Sequence, residues 1–439
     1  MEVMPGYKQT EVGVIPEDWE AKPLAGMAAI VHGFGFQSQY FKPLGKYRLT
    51  TPGHFHETGG FRDVGDKQKF YNGPLPDGYL LSDGDLIVAM TEQADGLLGS
   101  AALVPIGDTY LHNQRLGKIK VLSPEVSLSF LYRIFNSNAY RAKVRETAAG
   151  TKVKHTSPSK LLEIPVPFPP TKTEQEAIAE ALSDVDALIE SLEQLIAKKR
   201  HVKQRAMQEL LTGQNRLPGL GTGRGFKSSE LGLIPRDWNC FQLPALTVKD
   251  ANSIKIGPFG SALKKEYLVK EGYKVYGQEN VFNEDMEIGD RFINGEHFKR
   301  LKSCEIKAGD FLISMMGTVG KCLIVPNGIT EGIMDSHLLR LKLDPLKVSS
   351  EFLFQMFQTR IISDQVKKLS VGGIMEGLSS KIIKSLYLPV TWIEEQDAIA
   401  EALSDMDAEI TALESKLSKY RQIKQGMMHN LLTGRIRLV

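Results

Sequence analysis

Cysteine is scarce in these 439 residues: only Cys240, Cys304 and Cys322 occur, and no CxxC spacing is present. An odd, scattered set supports neither a disulfide framework nor a zinc site and suits a reducing, cytoplasmic compartment. Long apolar runs are missing too. None approaches the ~18–20 residues that cross a bilayer, so no membrane partner is expected. The opening residues, MEVMPGYKQTEVG, have neither the basic end nor the apolar stretch of a secretory signal. Nor does one charge dominate: 54 Lys and Arg stand against 52 Asp and Glu, a net of +2. Composition therefore announces no nucleic-acid partner, and any basic surface must be local.

Catalytic signatures are equally sparse. GTVGKC (317–322) lacks the GxxxxGK[ST] spacing of a phosphate loop and reads as a glycine turn after a strand. GFGFQS (33–38), GPFGSA (257–262) and GLGTGRG (219–225) fail the GxGxxG pattern. GHFHE (53–57) sets two histidines at i, i+2 with no third ligand near, so a polar loop is the better reading. FPPT (168–171) lacks the Asn or Asp that precedes PP[YF] in adenine methyltransferases, and no Pro-Asp with an acid-x-Lys triplet suggests a nuclease. No catalytic residue, metal or cofactor is expected on this chain.

What is present is a repeat. Residues 174–217 and 395–438 align at an offset of 221 without a gap, and 26 of 44 positions are identical. YKQTEVGVIPEDW (7–19) matches FKSSELGLIPRDW (226–238) at offset 219, keeping Lys, Glu, Gly, Ile, Pro, Asp and Trp. Between these markers the halves diverge, with echoes at SDGDLIVAM (82–90) and KAGDFLISM (307–315), and at SPSKLLEI (157–164) and LSSKIIKS (378–385). Six segments follow: 1–19, an entry segment; 20–170, a variable domain; 171–213, a long helix; 214–238, linker and second entry; 239–391, a second variable domain; 392–439, a second long helix.

Both helices are signposted. Thr173 followed by Glu176 suits a capping box, and each helix closes on LLTG with glycine as its C-cap. Ile178, Leu182, Val185, Ile189, Leu192 and Ile196 step by fours and threes, as do Ile399, Leu403, Met406, Ile410, Leu413 and Leu417. That is a coiled-coil seam sustained for about three heptads. If the helices pair, connectivity makes them antiparallel and brings the C-terminal end beside the N-terminal GVIPEDW. At 1.5 Å per residue, the stretch 178–210 spans roughly 48 Å, or about 14 base pairs at ~3.4 Å each. The basic run AKKRHVKQR (197–205) reads either as charge complementing a helix C-terminal half or as a phosphate contact.

The junctions IPVPFPPTKTEQEAIAEALSDVD (164–186) and LYLPVTWIEEQDAIAEALSDMD (386–407) carry a resemblance covering essentially the whole chain. With two variable domains and two repeated helices, the chain resembles the specificity (S) subunit of type I restriction–modification systems. The second junction departs slightly, having LPVTWIEEQ where the family usually has Pro-Pro. The resemblance implies two α/β (α+β) target recognition domains joined by an intramolecular antiparallel coiled coil, a pseudo-two-fold, circularly repeated design. It implies a non-catalytic reader of double-stranded DNA that docks two methyltransferase (M) subunits and restriction/motor (R) subunits. S-adenosylmethionine, and ATP with Mg, would sit on those partners. Open alternatives are the specificity subunit of another bipartite-site system and, from another class, a coiled-coil protein scaffold.

DNA contacts call for Lys, Arg, Asn, Gln or His in loops. The candidates in the first variable domain are Lys46, Arg48, Arg62, Gln93, Arg115, Lys152 and Lys154. In the second they are Lys264, Lys265, Gln278, Asn280, Arg300, Lys302 and His337.

Overall fold

The computed structural model describes residues 4–92, 96–150, 153–221, 225–316, 321–369 and 379–438. The chain forms two compact units, Met1–Glu193 with Ser415–Val439, and Gln194–Glu414. Each unit therefore takes one end of each long helix.

A four-stranded antiparallel sheet centres the first unit, in the order Ala101–Leu103, Leu86–Ala89, Leu116–Val121, Ala28–His32. Its second strand reads LIVA and is buried at all four positions. Side chains alternate across a strand, so a fully buried strand must feed two apolar layers. Leu86 and Val88 pack with Phe130, Leu131 and Ile134 of the helix Leu128–Phe135. Ile87 and Ala89 pack on the other side with Phe55, Tyr110 and Leu116. A second sheet runs Tyr110–Leu111, Tyr47–Leu49, Phe70–Tyr71, Phe41–Lys42, with its first pair parallel.

The second unit repeats this plan with different residues. Its first sheet is ordered Cys322–Ile324, Phe311–Ser314, Leu338–Leu341, Ile254–Ile256. Phe311 and Ile313 face the cluster of Phe352, Leu353 and Met356, whereas Leu312 joins Val275 and Tyr276. Its second sheet again holds one parallel pair, Tyr273–Tyr276 beside Gly332–Met334. The sequence echoes mark this shared plan. In both copies of GD the aspartate accepts a backbone N–H three residues upstream, Asp85 from Ser82 at 2.7 Å and Asp310 from Lys307 at 2.8 Å. Ser157 and Ser379 cap the short helices Pro158–Glu163 and Ser380–Lys384. The two domains are thus α+β, each with one four-stranded antiparallel sheet and, in the sheet beside it, one parallel pair among the described residues.

The long helices span Lys172–Leu210 and Ile393–Leu432 and run antiparallel. In the first unit Asp186 pairs with Lys424 and Glu193 with Arg421, both at 2.6 Å. In the second, Lys203 pairs with Asp407 at 2.5 Å and Arg200 with Glu414 at 2.6 Å. These four bridges are the same two pairs made twice. Each is at least partly open to solvent on both sides or exposed on one, and is worth ~0–1 kcal/mol, so they select register more than they add stability. All twelve seam residues are buried or half-buried. The earliest do more than line the helix pair: Ile178 and Leu182 enter the first unit's core, Ile399 and Leu403 the second's.

At each junction the repeated residues build one clasp. Buried Gln175 accepts from Ser127 N at 2.9 Å and donates to Glu125 O at 3.2 Å, tying the long helix to the start of Leu128–Phe135. Gln396 does the same with Ser349 and Lys347. Buried Glu174 takes Arg437, whose fork also holds Asp18 at 2.9 and 3.0 Å and whose guanidinium lies 5.6 Å from the Trp19 ring. In the second unit Glu395, Arg216, Asp237 and Trp238 make the equivalent set. Gly434 and Gly213 end the helices at φ +69° and +68°, and each backs onto a proline and tryptophan of the entry hairpin. The C-terminal end therefore lies beside the entry segment, as connectivity required. The cap of the first helix differs from expectation. Thr171, not Thr173, accepts from Glu174 N at 3.2 Å, because the helix already starts at Lys172, directly after Pro169-Pro170-Thr171.

One buried histidine makes the first unit pH-sensitive. His112 is 2% exposed and donates Nε2–H to Leu116 O at 3.1 Å. Burial pushes its pKa down to about 4 from the ordinary 6.5. Between those values the unfolded chain takes up a proton that the folded chain refuses, so stability falls as pH drops from 6.5 toward 4. The expected loss is roughly 2–3 kcal/mol. Hydrogen exchange of the strand amides around His112 at pH 7 and pH 5 should show it, and His112→Gln should reduce the difference, with buried His54, whose pKa burial also lowers, acting in the same direction.

Candidate nucleic-acid interface

GFGFQS and GPFGSA owe their first glycine to one reason in both units, whereas residues 317–320 of GTVGKC and 222–224 of GLGTGRG lie outside the described residues. The chain at Gly33 crosses directly over the backbone of Asn113, and at Gly257 over that of Asp335; a Cβ at either glycine would overlap the crossed carbonyl. Gly33 N donates to Leu116 O at 3.2 Å, and Gly257 N to Leu338 O at 3.1 Å. The crossed residue opens an Asx turn, since Arg115 N donates to Asn113 Oδ1 at 3.0 Å and His337 N to Asp335 Oδ1 at 2.9 Å. The turn then docks on the central strand's end: Met90 N donates to Arg115 O at 3.0 Å and Met315 N to His337 O at 2.8 Å. Arg115 and His337 therefore occupy one equivalent place, the rim of the four-stranded sheet. Arg115 is exposed, and the His337 side chain is 46% exposed.

In the first unit this rim continues into a short antiparallel pair, with His155 opposite Thr91 and Lys154 opposite Glu92. Lys154 lies 3.8 Å from the buried Glu92 carboxylate, which also accepts from Leu97 N and Leu98 N at 2.7 and 2.6 Å. Arg141, buried with its pKa pushed down to about 10, donates to Leu98 O at 2.9 Å and Glu57 O at 3.3 Å. Glu92 and Arg141 together hold Gly96, Leu97 and Leu98, and Arg141 ties them to Glu57. Neither stood out in the sequence, because each follows a strand or helix pattern that hides its role.

The remaining candidates divide by what their side chains already do. Lys46 and Lys265 are exposed. Arg48 is bound to Asp108 at 3.1 Å and stacked 5.6 Å from the Phe70 ring, and Arg62 donates to Gly53 O at 3.0 Å. In the second unit Lys264 and Arg300 both lie over the Tyr267 ring, at 5.9 and 5.4 Å, forming a small cationic–aromatic cluster. Lys302 pairs with Glu305 at 2.8 Å and Glu331 at 3.4 Å. Gln278 is half-buried. Gln93 and Lys152 lie outside the described residues.

Asn280 is a correction. It is 0% exposed, accepts from Gly277 N, and donates to Asp285 O and Ile288 O, all at 2.9 Å. GQEN looks like a polar surface loop, but Asn280 falls in the first turn of the helix Gln278–Asn283 and is consumed there. The basic run 197–205 is likewise engaged: Lys199, Arg200 and Lys203 pair with Glu409, Glu414 and Asp407. Charge complementarity between the helices accounts for these three residues.

The family model described as the type I restriction modification DNA specificity domain matches residues 16–198 and again 254–424. The chain belongs to this family. Among its relatives, the EcoBI specificity subunit of Escherichia coli is 24% identical over 96% of this chain and 87% of its own length. The MjaVIII specificity subunit of Methanocaldococcus jannaschii is 26% identical over 70% of each chain. The fold is similar to the S subunit of a type I system from M. genitalium, with TM-score 0.56 at 17% identity over 98% of both chains. It is also similar to a chain from work on complex assembly and conformational transition of the type I R-M system, with TM-score 0.55 at 15% identity over 96% and 99%. DNA sequence recognition is accordingly the task of this family member, and the Gly33 and Gly257 crossings place a divergent surface in each of its two domains. No helix among the described residues is long and apolar enough to cross a membrane.

Proposed function

We propose that each unit reads one half of a split, asymmetric duplex DNA sequence, and that the long helices set the unread gap and dock two methyltransferase subunits. The observation that carries this is a contrast. One sheet plan recurs in both units with different rim residues, Arg115 against His337, whereas the clasps and interhelical pairs recur almost residue for residue. A repeated frame suits two copies of one partner, and divergent rims suit two different half-sites. Methylation and cleavage then fall to partner subunits, with S-adenosylmethionine, ATP and Mg bound there, and the chain itself works without catalysis in the cytoplasm. Co-expression with the methyltransferase subunit encoded beside it, followed by genome-wide mapping of methylated adenines, should return a split asymmetric motif. A contiguous or palindromic motif would contradict this reading.

The helices also make the gap testable. Four residues inserted after Glu193 and four after Glu414 keep every interhelical ion pair within its own unit. They lengthen each helix by ~6 Å, and the gap should grow by about one or two base pairs with both half-sites unchanged. A constant gap would show that the helices do not measure it.

A further inference from the structure

We propose that Arg115 and His337 are the base-reading residues at one equivalent position of the two units, with Arg115 selecting a guanine. The inference rests on the DNA-reading assignment above and deepens it. Its first support is preorganisation. Three independent constraints hold the backbone in each unit: the glycine crossing, the Asx turn, and the rung to Met90 or Met315. A side chain that must discriminate bases needs its backbone held to within a fraction of an ångström, and a mobile loop does not provide this.

The second support is an unspent donor set. Three other arginines packed on the first unit's sheet are occupied, Arg48 by Asp108, Arg133 by Asp186 and Ser183, and Arg141 by three backbone carbonyls, whereas Arg145 is exposed on a helix away from the crossing. Arg115 has no acid partner among the described residues and is exposed at the rim. Its planar fork is left to meet a guanine O6 and N7 together, the commonest specific side-chain contact in the major groove. The third support is the substitution between units. Where the frame is otherwise repeated, this place carries Arg in one unit and His in the other. The residue before it is Gln114 in one and Ser336 in the other. The clasp arginines and tryptophans do not vary, although residues of the sheet itself do, Ile87 standing where the second unit has Leu312.

The test uses the chain assembled with its methyltransferase partner and reads the methylated motif of Arg115→Ala, Arg115→Lys and His337→Arg. Arg115→Ala should relax one position of one half-site, lowering its preference for guanine about ten- to a hundredfold. The other half-site and the gap should stay as they are. Arg115→Lys keeps the charge without the fork and should relax the same position partly. His337→Arg should change one position of the opposite half-site and no other. If Arg115→Ala instead leaves the motif intact and weakens all sites alike, with the salt dependence reduced by about one counterion, the residue touches phosphate and the inference fails. A wild-type complex without a split motif would overturn the functional reading itself, and this inference with it.

Discussion

Arg216→Ala should destabilise the second unit by about 3 kcal/mol. The variant leaves Glu395, 1% exposed, without its cation and with only the Thr391 hydroxyl donating to it. Stripping one partner from a buried ion pair typically costs ~3–5 kcal/mol, because the stranded carboxylate has lost its water as well as its counter-charge. The lower end applies because the Arg216 side chain is 19% exposed, so solvent already screens part of the attraction. Hydrogen exchange across the second unit would measure it. Adding Glu395→Gln to Arg216→Ala should recover part of the loss, since the stranded charge is then gone. A double variant as weak as the single one would mean that Arg216 acts through packing on Trp238 instead. Arg437→Ala should act in the same direction on the first unit but less strongly, because that side chain is 31% exposed.

Gly257→Ala should weaken reading by the second unit about tenfold or more and spare the first. The added methyl lands on the Asp335 carbonyl, a backbone atom that cannot rotate away, so the Asx turn must move. Overpacking of this kind costs ~1–3 kcal/mol and displaces the backbone that presents His337. Selectivity at one half-site should therefore fall by about tenfold or more, with the other half-site unchanged. Gly295→Ala serves as the control, since its Cβ meets only Tyr273 at an ordinary 3.7 Å. If both alanines behave alike, the crossing does not organise the rim. Gly33→Ala is the matching change in the first unit.

Legibility in the sequence followed the range of the interactions. The long helices were readable because heptad spacing and the closing LLTG are local signals. The capping threonine was misplaced by two residues, since the helix already begins at Lys172, directly after Pro169-Pro170-Thr171. Asn280 was misjudged because its hydrogen bonds go to Gly277, Asp285 and Ile288, and polarity alone cannot tell a consumed amide from an exposed one. Gly33 and Gly257 were noticed but not understood, because their need for a bare Cα comes from a crossing strand about 80 residues further along.

The sequence by itself determined the duplicated frame. Identical residues at one offset must make the same helices, the same ion pairs and the same clasps, and a chain that repeats its entry segment and its helix in turn brings its end back to its beginning. Only the tertiary structure decided which polar residues remain free at the rim. That depends on what each side chain meets in space: Arg48 finds Asp108, Arg141 finds the carbonyls of two loops, Asn280 finds three backbone groups, and Arg115 finds no acid among the described residues. Hydrogen-bonding capacity is written in residue type, but whether it is already spent is set by packing.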